Sequence, residues 1–248
     1  MTLEQFFAEN REVAVAFSGG VDSAYLLYAA KRYAARVKAY YVSTVFQPAF
    51  ELEDARRLAN ELGADMQVLH VDVLMSGAVV ENPPDRCYHC KNTLFRQILR
   101  AAESDGFALL LDGTNASDDA GDRPGMRALR ELSVRSPLRE CGLTKAEIRR
   151  LSREAGLFTW DKPAYACLAT RIRTGEEITL QKLRQTEKAE GFLFGLGFRD
   201  FRVRMVGNTA KLELRETDLP LLLENREKIV TELRKDYDSV MLNLEVRK

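Results

Sequence analysis

Residues 13–23 read Val-Ala-Val-Ala-Phe-Ser-Gly-Gly-Val-Asp-Ser, an apolar run that breaks into a glycine-rich turn and continues as Ala-Tyr-Leu-Leu. The apolar run predicts a buried strand, and the residues after the turn predict a helix. Gly19 and Gly20 can adopt backbone angles closed to other residues, so successive N–H groups can converge on one anion. This stretch therefore predicts a strand, a phosphate-binding turn and a helix whose positive end adds to the site.

The side chains of this turn supply further groups for a nucleotide. Its members are Ser18, Gly19, Gly20, Val21, Asp22 and Ser23. The two serines offer hydroxyl donors, whereas Asp22 either holds Mg²⁺ or caps the helix. A Walker loop needs a lysine before its Ser or Thr, and this turn has none. The structural alternative is a glycine-rich turn in which Asp22 is only a cap.

Composition limits the classes of function. The 248 residues include 46% hydrophobic side chains, and 37 basic residues balance 37 acidic ones. A chain of this length favours two modest domains, and zero net charge argues against general attraction to nucleic acid or membranes. Its apolar runs are too short to span a bilayer, and no basic leader precedes one. We expect a cytoplasmic protein, in which the four cysteines serve metal binding or thiol chemistry rather than disulfides.

Strand and helix patterns alternate through the first part of the chain. Apolar runs at 13–17, 37–42, 66–73 and 107–111 predict strands. Amphipathic patterns at 23–34, 49–62, 91–102 and 144–156 predict helices. Loops are predicted at 75–87 and 115–125. This alternation predicts an α/β fold with a doubly wound parallel sheet, whose ligands bind at the carboxyl ends of the strands.

The pattern changes after about residue 175. Helices are predicted at 180–196 and 219–233, and strands at 201–206, 210–214 and 240–246. The order predicts a smaller α+β domain, with a hairpin at Gly207-Asn208. The expected domains are 1–174 and 175–248.

Polar residues follow the fourth predicted strand. Gly113 and Thr114 lie just after it, and Ser117, Asp118 and Asp119 come next. Because parallel strands end at the same edge of a sheet, these residues are expected beside the turn at 18–23. They suit nucleotide or metal contacts, and a purely structural polar turn is the alternative.

Cysteines form two further motifs. Cys87 and Cys90 lie in Arg-Cys-Tyr-His-Cys-Lys, and this spacing lets two thiolates bind one metal or cluster, with His89 as a local helper. Cys167 precedes Arg171 and Arg173, whose charges would favour its thiolate, which makes it a candidate nucleophile. Burial without a ligand is the alternative for each, and we expect Cys141 to be structural.

Arginines on the predicted strand 201–206 form a candidate anion clamp. Arg202 and Arg204 share one face because strand side chains alternate. That face either clamps a phosphate or lies in solvent. Glu190 is a weaker candidate for the same site.

Taken together, four segments resemble the LarE family, ATP-dependent sulfur transferases within the ATP pyrophosphatases that carry a PP-loop. They are residues 18–23, 86–91, 135–139 and 166–171. The resemblance covers nearly the whole chain. It implies that ATP is cleaved to AMP and pyrophosphate while a carboxylate of a pyridinium dicarboxylate mononucleotide becomes an acyl-adenylate. In that family Gly113 and Thr114 would help form the adenylate pocket, Mg²⁺ would assist at Asp22, and Arg202, Arg204 and Glu190 would lie in the substrate site.

The resemblance also implies how sulfur is delivered. Cys167 matches the cysteine that attacks the adenylate and gives up its own sulfur, leaving dehydroalanine. Members with three cysteines are similar to this chain at Cys87, Cys90 and Cys167, and they hold a [4Fe–4S] cluster that spares the third cysteine. The expected product serves the nickel-pincer cofactor of lactate racemase. A homo-oligomer and transient contact with other proteins of that biosynthesis are implied as well.

Rival functions share parts of these motifs. A tRNA thiolase shares the loop and three cysteines, and a local basic stretch that contains Arg123, Arg127 and Arg130 favours it although the net charge does not. An amidating synthetase leaves the cysteines unexplained. A non-catalytic module that binds nucleotide or zinc is the alternative outside enzymes.

Overall fold

The fold is known from a computed structural model, which describes residues 1–118 and 124–247. Asp119 and Arg123 therefore lie outside the described residues. Helices α1–α11 span Leu3–Glu9, Val21–Tyr33, Ala49–Glu61, Gly77–Val80, Arg86–Ser104, Pro124–Glu131, Pro137–Glu140, Lys145–Glu154, Leu180–Gly195, Leu219–Glu224 and Arg226–Leu233. Strands β1–β7 span Glu12–Ala16, Arg36–Ser43, Asp65–His70, Leu110–Leu111, Arg202–Val206, Thr209–Glu213 and Ser239–Leu242.

The strands form two sheets. The first is parallel with the order β3-β2-β1-β4, and the second has the order β5-β6-β7. In the second sheet β5 and β6 are antiparallel, whereas β6 and β7 are parallel. The predicted α/β class with a parallel sheet and a smaller sheet region is confirmed.

The run at 13–17 is apolar throughout because both faces of the first sheet are covered. Val13 and Val15 pack on one face with residues of α1, α2, α3 and α8. Ala14 packs on the other face with Tyr40 and Ile98, the latter from α5. The sequence of a central parallel strand that is buried on both faces is continuously hydrophobic rather than alternating. The apolar run at 13–17 therefore contains most of β1, a central strand of the sheet.

Several predicted boundaries differ from the structure. The helix predicted at 91–102 begins at Arg86, so Cys87 lies on α5 rather than in a loop. The strand predicted at 107–111 keeps only Leu110–Leu111, because Phe107 N still donates to Ala102 O in the turn that ends α5. The helix predicted at 219–233 is two helices that meet at Asn225.

Two compact units make up the chain. The first contains Met1–Val73 and Asp85–Ala164, and the second contains Leu74–Pro84 and Tyr165–Lys248. The second unit thus takes in residues 165–174 and the loop at 74–84, which the sequence placed in the first domain. Backbone hydrogen bonds give the reason, since Ile178 N donates to Val80 O at 2.8 Å and Gly175 N donates to Asn82 O at 2.8 Å. Among the helices described, none is long and apolar enough to cross a membrane.

Candidate active site

The turn after β1 has the geometry of an anion cradle. Gly19 has φ +73°, a backbone angle that side chains disfavour, and Gly20 is the N-cap of α2 without a side-chain cap. The helix begins at Val21 rather than at the predicted Ser23, so Asp22 lies in its first turn. The N-terminal N–H groups of α2 therefore point toward the turn.

Serine hydroxyls hold the turn in shape. Ser18 Oγ and Ser23 Oγ are 3.0 Å apart, and Ser18 N donates to Ser23 Oγ at 3.2 Å. Ser23 Oγ also donates to Gly20 O at 3.2 Å. These bonds join the two ends of the loop, so its backbone N–H groups are held in position before a ligand binds.

Asp22 does not cap α2. Its Oδ2 accepts a hydrogen bond from Lys145 Nζ at 2.6 Å, whereas its buried Oδ1 has no hydrogen-bond partner among the described residues. Burial raises the pKa of Asp22 above its ordinary value, and the Lys145 cation opposes that shift. A buried carboxylate oxygen without a partner is the donor that Mg²⁺ prefers. Of the two roles predicted for Asp22, the geometry favours the metal.

Lys145 is a candidate site residue that the sequence did not reveal. It is the first residue of α8, where Thr144 and Glu147 form the predicted capping box. Its backbone N–H donates to Ser117 Oγ at 2.9 Å. The turn lacks a lysine of its own, and α8 supplies one from 123 residues along the chain. Sequence spacing gives no signal of such a distant contact.

Gly113 is required where the fourth strand meets α2. A Cβ at this position would lie 2.8 Å from Ser23 N and 3.1 Å from Ser23 Cα. Both atoms are backbone, so nothing can rotate away. The predicted proximity of Gly113 to the turn is therefore a backbone contact.

We expect Gly113→Ala to destabilise the chain by about 1–3 kcal/mol, because the new methyl group overlaps fixed backbone. Chemical denaturation followed by circular dichroism measures this loss, and nucleotide binding should weaken with it. Gly191→Ala is the matched control, because its Cβ would meet nothing within 4 Å on α9. The control should be stabilised by about 0.5–1 kcal/mol. Equal stabilities of the two variants would contradict the contact.

The other polar residues after β4 build the turn itself. Thr114 Oγ1 and Ser136 Oγ both donate to the buried carboxylate of Asp112. Asn115 N donates to Asp118 Oδ2 at 2.9 Å. These bonds support the structural alternative for Asp118, while Gly113 lies against the backbone of Ser23.

An apolar pocket of about 150 Å³ adjoins the cradle at Ser18. Its lining residues are Ala16, Phe17, Ser18, Tyr40, Tyr41, Val42, Gln47, Leu94, Phe95 and Ile98. A flat aromatic base suits such a lining, because aromatic and aliphatic side chains cover its faces. A larger groove of about 590 Å³ in the second unit is lined by none of the predicted site residues.

A partly buried ion cluster includes residues of α3, the helix that faces Gly19. A Cβ at Gly19 would lie 3.2 Å from Ala55 Cβ on α3, and Glu51 and Asp54 come from the same helix. Lys162 Nζ lies 3.1 Å from Glu51 Oε2 and 2.7 Å from Asp54 Oδ2. Burial raises the pKa of Glu51, and Lys162 opposes the shift. The cluster places a neutralising cation beside two carboxylates close to the anion site.

Cys87 and Cys90 lie one turn apart at the start of α5. Cys87 is exposed and Cys90 is half-buried. Arg86 Nη2 donates to Cys87 Sγ at 3.7 Å, and His89 Nε2 lies 3.3 Å from Asp85 Oδ2. His89 is therefore a partner of the N-cap residue Asp85. In the described part of the chain no group of three or more His, Cys, Asp or Glu residues is placed to hold a metal ion.

Cys167 belongs to the second unit and precedes a short 3₁₀ turn, Leu168–Arg171. Its carbonyl oxygen accepts from Thr170 N at 2.9 Å and from Thr170 Oγ1 at 2.8 Å. Arg204 Nη1 donates to Thr170 O at 2.6 Å. The backbone at the cysteine is thus fixed by hydrogen bonds through Thr170.

Glu190 organises the residues around this turn. Its carboxylate accepts from Arg171 Nε at 2.6 Å, from Val203 N at 2.9 Å and from the hydroxyl of Tyr165. Arg171 and Glu190 have side chains only 1% and 2% exposed. The guanidinium of Arg171, which the sequence assigned to the thiol of Cys167, is engaged by Glu190 and by Thr170 Oγ1 at 2.7 Å.

Arg202 is buried, with 6% of its surface exposed, so the solvated alternative is wrong for this residue. Its guanidinium carbon lies 5.5 Å from the ring centre of Tyr165. Burial lowers the pKa of Arg202, and the charges of Arg171 and Arg247 add to the effect. Arg204 instead pairs with Glu213 at 2.8 Å. The arginines of the second unit are thus accompanied by carboxylates, since Arg202 Nη1 also lies 3.8 Å from Asp200 Oδ1.

The parallel sheet, the loop at 18–23 and the half-buried carboxylate of Asp22 have the form of a PP-loop domain of the ATP pyrophosphatase type. A family model described as asparagine synthase matches residues 4–114, which contain this loop. The chain is 34% identical over 217 residues to the pyridinium-3,5-bisthiocarboxylic acid mononucleotide synthase of Lactiplantibacillus plantarum, with 87% of this chain and 79% of that protein covered.

Two uncharacterized proteins are similar over comparable lengths. One from Synechocystis is 38% identical, with 86% of this chain and 80% of that protein covered. One from Methanocaldococcus jannaschii is 30% identical, with 96% of this chain and 91% of that protein covered. The chain belongs to the LarE family of ATP-dependent sulfur transferases.

Proposed function

We propose that this protein uses ATP to activate a carboxylate of pyridinium-3,5-biscarboxylic acid mononucleotide and converts it to a thiocarboxylate, for the nickel-pincer cofactor of lactate racemase. The observation that carries the activation step is the unpartnered Oδ1 of Asp22 in the loop at 18–23. The printed name of the Lactiplantibacillus relative, which describes a bisthiocarboxylic acid mononucleotide, supports the substrate.

Each part of ATP has a complementary surface in the first unit. The pocket at Tyr40 and Phe95 receives the adenine, and the loop at 18–23 receives the phosphates. Asp22 Oδ1 would hold Mg²⁺, which when bound neutralises charge on the phosphates. The substrate carboxylate attacks the α-phosphorus, the bond to the bridging oxygen breaks and pyrophosphate leaves, giving an acyl-adenylate. The N-terminus of α2 and Lys145 stabilise the leaving charge.

The arginines of the second unit fit the phosphate of the mononucleotide. Arg202 is buried, and burial together with the charges of Arg171 and Arg247 lowers its pKa, although Asp200 Oδ1 lies 3.8 Å from its Nη1. A phosphate would relieve this repulsion and accept bidentate hydrogen bonds. Glu190 holds Arg171 and Tyr165 and so acts as a positioning residue, not as a reacting group.

Sulfur donation follows one of two routes. Cys87 and Cys90 are one helical turn apart, a spacing that suits two ligands of a [4Fe–4S] cluster. The resemblance to three-cysteine members of the family implies Cys167 as the third. Such a cluster supplies iron-bound sulfide when present. In the alternative, the thiolate of Cys167 displaces AMP from the adenylate. Loss of the Cα proton then breaks the Cβ–S bond, which leaves the thiocarboxylate on the product and dehydroalanine in the chain.

Intact mass before and after one turnover separates the two routes. Loss of one H₂S from the chain marks sacrifice of Cys167. An unchanged chain with roughly four irons, the content of one [4Fe–4S] cluster, marks the cluster route. ATP–pyrophosphate exchange that depends on the dicarboxylate tests activation itself. Absence of that exchange, with stoichiometric zinc bound, would instead support a non-catalytic module.

Lys145→Met should weaken binding of Mg²⁺–ATP by about 10–150-fold, the range of a lost charge-assisted hydrogen bond. The methionine keeps the length of the side chain but removes the cation beside Asp22. Isothermal titration with a non-hydrolysable ATP analogue measures the effect, and Lys145→Arg should recover part of it. Lys31→Met is the control, because Lys31 binds Gly63 O at the far end of α2. Equal losses in the two methionine variants would contradict a role at the cradle.

A further inference from the structure

We propose that Cys87 and Cys90 are a reversible dithiol–disulfide pair, a modification site in its own right that goes beyond sulfur transfer to the mononucleotide. Both cysteines lie on the first turns of α5, three residues apart. Residues at that spacing on an α-helix have Cα atoms about 5 Å apart. Disulfides join Cα atoms about 4.4–6.8 Å apart, so the pair lies within bonding range.

The start of α5 leaves the backbone room to close the bond. Asp85 is the N-cap and makes no side-chain cap hydrogen bond. Tyr88 N donates to Asp85 O at 2.8 Å, a contact across three residues that is tighter than the α-helical one. Cys87 lies before this bond, in the turn whose N–H groups have no acceptor within the helix. Its side chain can therefore approach Cys90 without breaking the bonds of the helix interior.

The two thiols have unequal access to solvent. Cys87 is exposed, and Arg86 Nη2 contacts its sulfur at 3.7 Å. Cys90 is half-buried one turn further into the helix. The next helix keeps this turn in place, because Tyr88 hydroxyl donates to Glu131 Oε2 at 2.7 Å and Arg127 stacks over the Tyr88 ring at 4.0 Å. A small oxidant therefore meets Cys87 first, while Cys90 is in position to resolve the product.

A low-molecular-weight disulfide such as glutathione disulfide can serve as the oxidant. The Cys87 thiolate attacks one of its sulfurs, the S–S bond breaks and one glutathione thiolate leaves. The Cys90 thiolate then attacks Cys87 Sγ, and the second glutathione thiolate leaves. The pair gives up two electrons and two protons, and one glutathione disulfide becomes two thiols. The oxidised pair has no thiolate left for a metal.

The test uses the full-length chain, reduced and purified without oxygen, with glutathione disulfide as the probe. The chain should lose two hydrogens in mass, and peptide mapping should place the bond between Cys87 and Cys90. Dithiothreitol should restore the original mass. Cys90→Ser should accumulate about tenfold more mixed glutathione disulfide than the unsubstituted chain, because an intramolecular thiol acts at high effective concentration.

Cys141→Ser is the matched control and should behave like the unsubstituted chain. Burial raises the pKa of the Cys141 thiol, which slows its reaction. A stable mixed disulfide on the unsubstituted chain, or a disulfide that includes Cys141 or Cys167, would contradict the proposed Cys87–Cys90 pair. This readout is independent of ATP cleavage, but it needs the two thiolates that the proposed cluster route would bind, so the iron content of the chain is measured first. Cysteines that stay bound to iron and do not react with glutathione disulfide would also contradict the proposed pair.

Discussion

Asp22→Asn should lower the rate of ATP cleavage to AMP and pyrophosphate by about 10²–10³-fold, the usual loss when one preorganised electrostatic group is removed. The asparagine keeps the shape of the side chain. It removes the charge that faces the phosphate loop from the buried, unpartnered Oδ1. It also removes the negative partner of Lys145 Nζ. Production of pyrophosphate from ATP, Mg²⁺ and the dicarboxylate measures the effect.

The same substitution should leave the free energy of unfolding unchanged or higher. Burial raises the pKa of Asp22, so its charged form is less stable in the folded chain than in the unfolded one. A folded pKa above the unfolded value contributes stability that is present at low pH and lost as the pH rises through it. At neutral pH the charge is therefore kept at a cost to stability, as is common for functional groups.

Asp65→Asn is the control for this prediction. Its carboxylate is 71% exposed at the start of β3, away from the loop. Both ATP cleavage and unfolding should stay near those of the unsubstituted chain. A large fall in stability of the Asp22 variant, with activity lost only in proportion, would show that Asp22 is structural.

Glu190→Ala should lower the free energy of unfolding by about 3–5 kcal/mol, the cost of leaving one partner of a buried ion pair uncompensated. The remaining cation would be Arg171, whose side chain is 1% exposed. Val203 N and the Tyr165 hydroxyl would lose their acceptor as well. Urea denaturation followed by circular dichroism measures the loss.

Two further variants make this prediction specific. Arg171→Met combined with Glu190→Leu replaces both charges by apolar groups and should regain most of the stability. Glu154→Ala removes one side of an exposed pair whose side chains are 61% and 58% accessible, and should change stability by less than about 1 kcal/mol. If Glu190→Ala and Glu154→Ala lower the free energy of unfolding equally, the buried network does not stabilise the second unit.

The network should also control the thiol of Cys167, the proposed nucleophile. Arg171 Nη1 bonds Thr170 Oγ1 at 2.7 Å, and Thr170 in turn bonds the carbonyl of Cys167. Glu190→Ala releases Arg171 and should therefore change the rate at which Cys167 reacts with iodoacetamide. An unchanged rate in a folded variant would show that the chain of bonds does not reach the thiol.

Local patterns predicted the elements whose signals are local. The run at 13–17 identified the central strand because burial on both faces leaves no polar position in it. Thr144 and Glu147 identified the start of α8 because a capping box lies within four residues. The predicted start of α5 was wrong. Pro83 and Pro84 favour a loop, but the helix begins only two residues after Pro84, at Arg86.

Contacts distant in sequence were beyond prediction. Lys145 reaches Asp22 across the fold, and Lys162 reaches Glu51 from 111 residues away. Residues 165–174 join the second unit through Arg171 and Glu190, a pairing that depends on burial rather than spacing. Arg202 and Arg204 share a face of β5 as alternation requires, but sequence alone did not show that Arg202 is buried.

The mass of the small-molecule product after one turnover tests the proposed sulfur transfer most directly. The chain, ATP, Mg²⁺ and pyridinium-3,5-biscarboxylic acid mononucleotide are combined without oxygen, and the products are resolved by mass spectrometry. We expect a mononucleotide in which sulfur has replaced one carboxylate oxygen, with matching amounts of AMP and pyrophosphate. AMP and pyrophosphate with an unchanged dicarboxylate, or no cleavage of ATP in its presence, would contradict the proposed transfer.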